Sequence, residues 1–297
     1  GETRSGFVFG DRSKGVRWMV VNVIGENAAE SFEFIIEVPG FKADFHKLED
    51  MVIYAEDDYT DLDERSLFEW IEEQPAFVTN KDGSKTGDPL NLIIIGEKEA
   101  VWPAFLRMGW DPTAAMTTGS ALKTGVFGIF GGGYRYAPIS DLYVYGRAQD
   151  IALQKVRNNI HYRNHLRLWE APVRYQGRPV LIGQISRDIG SRFTTKSSTL
   201  TTHRIDPDVD ETRASLIQDF LWAQALDVFG FAGGVGEISI EEPRGNLTGD
   251  IFFTDGKRAV MVLSAEPVDY EHIDFFSWHE PRAVESTVEP APAIDEE

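Results

Sequence analysis

The chain has 297 residues, 42% of them apolar and 12% aromatic, with a formal net charge of -19 at pH 7 and no cysteine. That is enough apolar chain for a sizeable core in one large domain or two smaller ones. The acidic balance argues against nucleic-acid binding, which needs phosphates neutralised by Lys and Arg, and the lack of cysteine excludes disulfides, thiolate metal sites, iron–sulfur clusters and cysteine nucleophiles.

Residues 7–9, 16–24 and 32–38 read as strands, with Gly25-Glu26-Asn27 as a turn; three are too few to close a sandwich, so they are expected to pair with the later sheet or to be the remnant of a β domain that begins upstream. Residues 44–73 then carry twelve acids against two bases. Within them Thr60 and Asp63 have the spacing of a capping box, and Leu62, Leu67, Trp70 and Ile71 form the buried stripe of a helix ending before Pro75. A polar loop at 79–88 leads to the run from Pro89 to Gly96, apolar enough for a strand buried on both faces. Residues 97–109 predict a helix with Ala100, Val101, Ala104, Phe105 and Met108 inward, kinked by Pro103 or starting near Val101. Residues 111–140 interleave glycines with aromatics but have neither Walker nor GxGxxG spacing, so a nucleotide loop is not expected. Short strands at 142–145 and 151–156 follow. Near the end, Asp255-Gly256 predicts a hairpin over 251–263, His272 and His279 are expected to face solvent, and 280–297 is an acidic, proline-containing tail expected to be disordered. No apolar run reaches the length of a transmembrane helix.

Between these elements lies a basic island. Residues 146–213 hold twelve Lys or Arg against seven Asp or Glu, and three of the six histidines. Read as a strand, residues 161–169 place His161, Arg163, His165, Arg167 and Trp169 on one face and Tyr162, Asn164, Leu166 and Leu168 on the other. Stacked like charges repel, so an anion is expected opposite: Asp150, Asp188, Asp206, Asp208 or Asp210 within the chain, or a bound phosphate or carboxylate. The strand at 180–186 is expected to end at Arg187-Asp188, with Gly190 in a turn. In Thr202-His203-Arg204-Ile205-Asp206-Pro207-Asp208, a divalent metal could take His203, Asp206 and Asp208. A helix start with Asp206 as cap and Pro207 in first position, running to about residue 229, explains the same carboxylates structurally.

The sequence supports two chemistries. Arg147, Arg163, Arg167 and Arg187 with His165 suit an anion site, for a small molecule or a lipid headgroup. Alternatively His165 or His203, oriented by Asp188 or Asp206, suits hydrolysis of a phosphoester, with or without a divalent metal as cofactor. No GxSxG or HExxH supports a named mechanism.

At Gly146-Arg147-Ala148-Gln149-Asp150, Arg163-Asn164-His165-Leu166-Arg167-Leu168-Trp169, Gly183-Gln184-Ile185-Ser186-Arg187-Asp188-Ile189-Gly190 and Thr202-His203-Arg204-Ile205-Asp206-Pro207-Asp208, the chain resembles the bacterial LssY C-terminal domain family. Gly87-Asp88-Pro89-Leu90-Asn91 and Phe252-Phe253-Thr254-Asp255-Gly256 look like the family's opening and closing pieces. The resemblance implies a bacterial envelope setting, periplasmic or held at the membrane through a segment upstream of Gly1, with a membrane phosphatase-type protein as partner. It supplies no catalytic residues. The expected organisation is a β element at 1–45, an acidic link and helix at 46–75, the LssY-like domain at 76–270 and a tail at 271–297. The fold class expected is α+β, with α/β as the alternative: a mixed sheet with a few flanking helices.

Overall fold

The structure is a computed structural model describing residues 16–24, 29–37, 53–113, 139–156, 163–193 and 201–277. The predicted strand at 7–9, most of the glycine-aromatic segment, the tail with His279, and His161 lie outside the described residues. Strands β1 (Val16–Ile24) and β2 (Ala29–Glu37) form an antiparallel hairpin in which Val16 stands opposite Glu37 and Ile24 opposite Ala29.

The first helix differs from expectation at its start. Thr60–Leu62 is a strand, β3, and helix α1 runs from Glu64 to Glu73. Asp63 is the cap: its carboxylate accepts the Ser66 N–H at 2.8 Å. Asp63 therefore satisfies an end-of-helix donor without Thr60, and residues 60–62 instead pair in parallel with residues 173–175. Strands β4 (Phe77–Thr79) and β5 (Thr86–Pro89) follow, so Pro89 ends a short hairpin strand and does not open the buried one. That buried strand is β6 (Leu92–Ile95), with all four residues fully buried. Helix α2 (Lys98–Arg107) carries Pro103 in its interior, so it begins before Val101.

The remaining elements are β7 (Asp111–Pro112), β8 (Tyr143–Val144), β9 (Arg147–Ala148), β10 (Ile151–Val156), β11 (Arg163–Tyr175), β12 (Arg178–Phe193), β13 (Thr201–Ile205), α3 (Val209–Trp222), β14 (Leu226–Ala232), β15 (Arg244–Gly245), β16 (Ile251–Phe252), β17 (Arg258–Leu263) and β18 (Asp274–Phe275). The main sheet has ten strands, in the order β18-β14-β17-β6-β12-β11-β10-β7, with β13 on β12 and β3 on β11. It is mixed, since β17 runs parallel to β6 and antiparallel to β14. A small sheet of order β5-β4-β8-β9 accompanies it.

Alternation along β6 divides the core. Leu92 and Ile94 join Leu166, Leu168 and Leu153 under α2 and α3, whose Phe105 and Phe220 fill that side. Ile93 and Ile95 join Trp169, Ile182 and Val260 against Leu67, Phe68 and Ile71 of α1. Helices thus cover both faces of a mixed sheet, as the α+β reading expected.

Three further expectations are corrected. Helix α3 is capped by Asp208, whose carboxylate accepts from the Asp210 and Glu211 N–H groups, and Pro207 lies outside the helix. Asp206 instead closes a local turn onto the Asp208 N–H at 3.2 Å, and the apolar stripe read as one helix to residue 229 is a helix to Trp222 followed by β14. The hairpin over 251–263 does not form: β16 pairs with β15, while β17 pairs with β6 and β14. The Asp255-Gly256 turn is real, with Gly256 at φ 77°, but it sits against Gly236, whose carbonyl carbon is 2.5 Å from where a Cβ would stand. Arg258, entering β17 with 0% exposure, turns away from a hairpin partner and donates to the carbonyls of Ile71, Gln74, Pro75 and Gly234. It closes the C-terminal end of α1, where orphan carbonyls and the negative end of the helix dipole collect.

Candidate functional site

Strands β11 and β12 are joined by a two-residue turn, Gln176-Gly177, with φ of 51° and 78°. This is the left-handed pair that matches strand twist in tight hairpins. Their register sets Arg167 opposite Gln184 and His165 opposite Ser186, and on the other side of β11 His165 stands opposite Gln154 of β10. The predicted alternation holds: Leu166 and Leu168 seat in the core under α2 and α3, and Trp169 lies on the α1 side. The charged face is nonetheless interior, with Arg163, His165 and Arg167 exposed by only 3%, 8% and 6%. β12 is also longer than expected, so Arg187 and Asp188 are mid-strand, and Gly190 sits at a bulge against β13 and not in a turn.

Asp188 is the anion opposite. Its Oδ2 lies 2.6 Å from His165 Nε2 and 3.4 Å from Arg163 Nε. Arg163 also donates to Gln154 Oε1. Arg167 is held differently. Its NH1 donates to Gln184 Oε1 at 3.0 Å, and its Nε and NH2 both donate to the Ser140 carbonyl, at 3.2 and 3.0 Å. These bonds use three of five guanidinium N–H groups, and among the described residues no carboxylate touches it. The other end of the Gln184 carboxamide reaches Ser186 Oγ at 3.0 Å and Asp88 Oδ2 at 3.5 Å. Asp88 comes from β5, so the cluster lies where the two sheets meet. Its Oδ1 accepts from Asn246 Nδ2 at 2.9 Å.

Burial sets the charges. Desolvation, then Arg163 and Arg167, hold His165 well below the usual histidine range, so the imidazole is neutral and its Nε2–H donates to Asp188. Desolvation draws Arg167 down to about 10 against the pull of Asp88 and Asp188, and raises the Asp88 carboxyl above the ordinary aspartate value. Asp188 is the carboxylate bonded directly to Arg163, and among the described residues none is bonded to Arg167.

Other predicted residues are placed elsewhere. Arg187 lies on the opposite face of the sheet, donating to Glu211 Oε1 at 2.9 Å and Ser215 Oγ at 3.1 Å, with Asp206 Oδ2 at 3.5 Å. Its odd place between Ser186 and Asp188 requires this. Arg147 forks onto Asp150 at 3.0 and 2.8 Å and also donates to Tyr54 and the Glu170 carbonyl, joining the small sheet to the main one. The structure thus brings Arg163, His165, Arg167 and Asp188 together and leaves Arg147 and Arg187 out. His203 stands opposite Ser191 in β13, and its side chain lies outside the described residues. Among the described residues no group of three or more His, Asp or Glu could hold a metal; Asp206 is engaged by Arg187 and Asp208 by the α3 start. His272 is exposed, as expected.

Sequence reading missed Asp88, Gln154, Gln184 and Ser186, all buried in the cluster. The signal was present: Gln154, Gln184 and Ser186 are polar residues at alternating places inside strands otherwise built to be buried, and such groups need partners.

A family model described as "LssY C-terminus" matches residues 71–257. No curated protein and no solved structure matches the chain. Among the described residues no helix is long and apolar enough to cross a membrane.

Proposed function

The chain belongs to the LssY C-terminal family, and on that premise we propose that it binds an anionic group, a phosphate or a carboxylate, at the cluster of Arg163, His165 and Arg167. The observation that carries this is Arg167: a buried guanidinium that, among the described residues, is bonded only to neutral oxygens through three of its five N–H groups. A buried cation without a counter-ion is costly, and an arriving oxyanion supplies both the missing charge and acceptors in the fork geometry that guanidinium prefers. The setting we propose is the bacterial envelope, with the chain accessory to a phosphatase-type membrane protein, as the domain fusions of this family suggest. The test is thermal and denaturant unfolding in inorganic phosphate. At a hundredfold excess over Kd, phosphate should stabilise the protein by about 2.7 kcal/mol, and Arg167→Met should remain folded and lose that response. An unshifted wild type would overturn the reading.

His165 favours a second reading. A buried imidazole oriented by a carboxylate 2.6 Å from its Nε2 is the pairing that general-base attack of water on a phosphoester uses. Hydrolysis of a chromogenic phosphomonoester, abolished in a folded His165→Gln, would make the chain an enzyme; equal rates in both proteins would remove this role.

A further inference from the structure

Asp88 is a buried carboxyl whose needs the fold does not meet. Its partners are the Asn246 amide at 2.9 Å and, at 3.5 Å, the Gln184 amide; among the described residues no cation touches it. When ionised it feels Arg167 only across the Gln184 amide, without contact. When protonated it is a donor, and among the described residues neither neighbouring amide nitrogen accepts from it. It is only 8% exposed. Both protonation states are therefore incomplete, and the missing partner is the same: a group that shares one proton with the carboxyl.

Its position says where that group would sit. The Gln184 carboxamide has Arg167 NH1 on its oxygen at 3.0 Å and Asp88 Oδ2 near its nitrogen at 3.5 Å, so one amide group separates the under-used cation from the under-used carboxyl. An oxyanion spans such a gap with two of its own oxygens, one on the guanidinium and one on the carboxyl. Asp250 and Asp188 add negative potential at Asp88, so a fully deprotonated oxygen arriving there is repelled unless a proton comes with it.

Resting on the anion-site reading above, we propose that Asp88 is the specificity-determining residue of this site and selects oxyanions that share a proton with it. Orthophosphate meets that condition at any pH near neutrality, and phosphomonoesters meet it only below their second pKa of about 6; sulfate and phosphodiesters do not. For hydrogen phosphate the ligand brings the proton. For sulfate Asp88 must first take one from solvent, so sulfate binding weakens as pH rises while phosphate binding is held. In Asp88→Asn the carboxyl becomes an amide, which donates to either anion and carries no charge to repel one.

The experiment is isothermal titration calorimetry of the full chain with inorganic phosphate and with sulfate, at about pH 6 and about pH 8, on either side of the titration of a phosphomonoester. The wild type should prefer phosphate at the higher pH by about tenfold or more, equivalent to about 1.4 kcal/mol, and by less at the lower pH. Asp88→Asn should lose the preference by gaining sulfate affinity. Equal binding of both anions by the wild type at both pH values would overturn the role of Asp88 and leave the anion site standing; a preference kept unchanged in a folded Asp88→Asn would do the same. Binding of neither anion would overturn the site itself. The wild-type pH series decides the matter even if the variant does not fold. Parallel titrations with glycerol 3-phosphate and a short-chain phosphatidic acid at about pH 6, where a phosphomonoester still carries a proton, identify the source: equal affinities indicate a free phosphate compound, tighter binding of the lipid a headgroup.

Discussion

On the α3 side of β10, β11 and β12, Lys155 and Arg187 meet a helix that brings carboxylates to both: Asp219 at 2.8 Å from Lys155 Nζ, and Glu211 at 2.9 Å from Arg187 NH1. On the opposite side, Arg163 and Arg167 meet one carboxylate and several amides. The strands are the same and the cations are of the same kind, so the difference lies in what packs against each face. A helix presenting Glu211, Ser215 and Asp219 at successive fourth places, two acids with a hydroxyl between them, answers cations along a ridge. The second face offers neutral acceptors, which hold a guanidinium in place without cancelling its charge. Arg258 shows that a buried arginine can rest on carbonyls alone. It has three of them at the C-terminus of α1, where the dipole provides the negative potential, and a fourth from Gly234. Arg167 has one amide oxygen and one carbonyl.

The comparison makes quantitative demands. Arg258→Met should be the most destabilising substitution, by about 4 kcal/mol in urea unfolding, because it orphans several buried carbonyls at the end of α1. Arg187→Met should cost about 2 kcal/mol, since Glu211, 59% exposed at its side chain, returns to water once released. Arg167→Met should cost under about 1 kcal/mol without phosphate, because the loss of two acceptors' partner is offset by removal of an uncompensated charge. An Arg167 variant as damaging as the Arg258 one would erase the distinction and make Arg167 part of the scaffold.

A subtler effect separates the faces by pH. The folded-state pKa of His165 is depressed below the ordinary 6.5. The unfolded chain therefore takes up the proton first, so this stabilisation is present above pH 6.5 and is lost as pH falls below it. Wild type should lose on the order of 1 kcal/mol per pH unit there relative to His165→Gln. Parallel stability curves for the two proteins would show that His165 is not held neutral by its surroundings.

How much of this was legible follows from the range of each interaction. Period-two alternation is local, so the separation of Arg163, His165 and Arg167 from Leu166 and Leu168 can be read directly. The same parity rule, applied to β12, separates Arg187 from Gln184, Ser186 and Asp188. Grouping Arg187 with the other arginines followed charge and ignored parity. The extent of β11 was hidden by Pro172 and by the bulge between Glu170 and Arg174. The Asp255-Gly256 signal was read correctly as a turn, but the partner of β17 was decided by β6, far away in sequence, and no local pattern reports that. Asp88 was similarly obscure, since its importance depends on Asn246 and Gln184 arriving from distant parts of the chain.

The Arg258 contact also orders events in time. Helix α1 is among the first described elements to leave a ribosome, yet the group that closes its end belongs to one of the last strands. Until Arg258 arrives, the carbonyls of Gln74 and Pro75 are left to water and that of Ile71 keeps only the Gln74 N–H, and a ten-residue helix so ended is marginal on its own. Hydrogen exchange pulsed during refolding should therefore find α1 protected together with β17 and not before it, the first described helix waiting on later-made chain for its last turn.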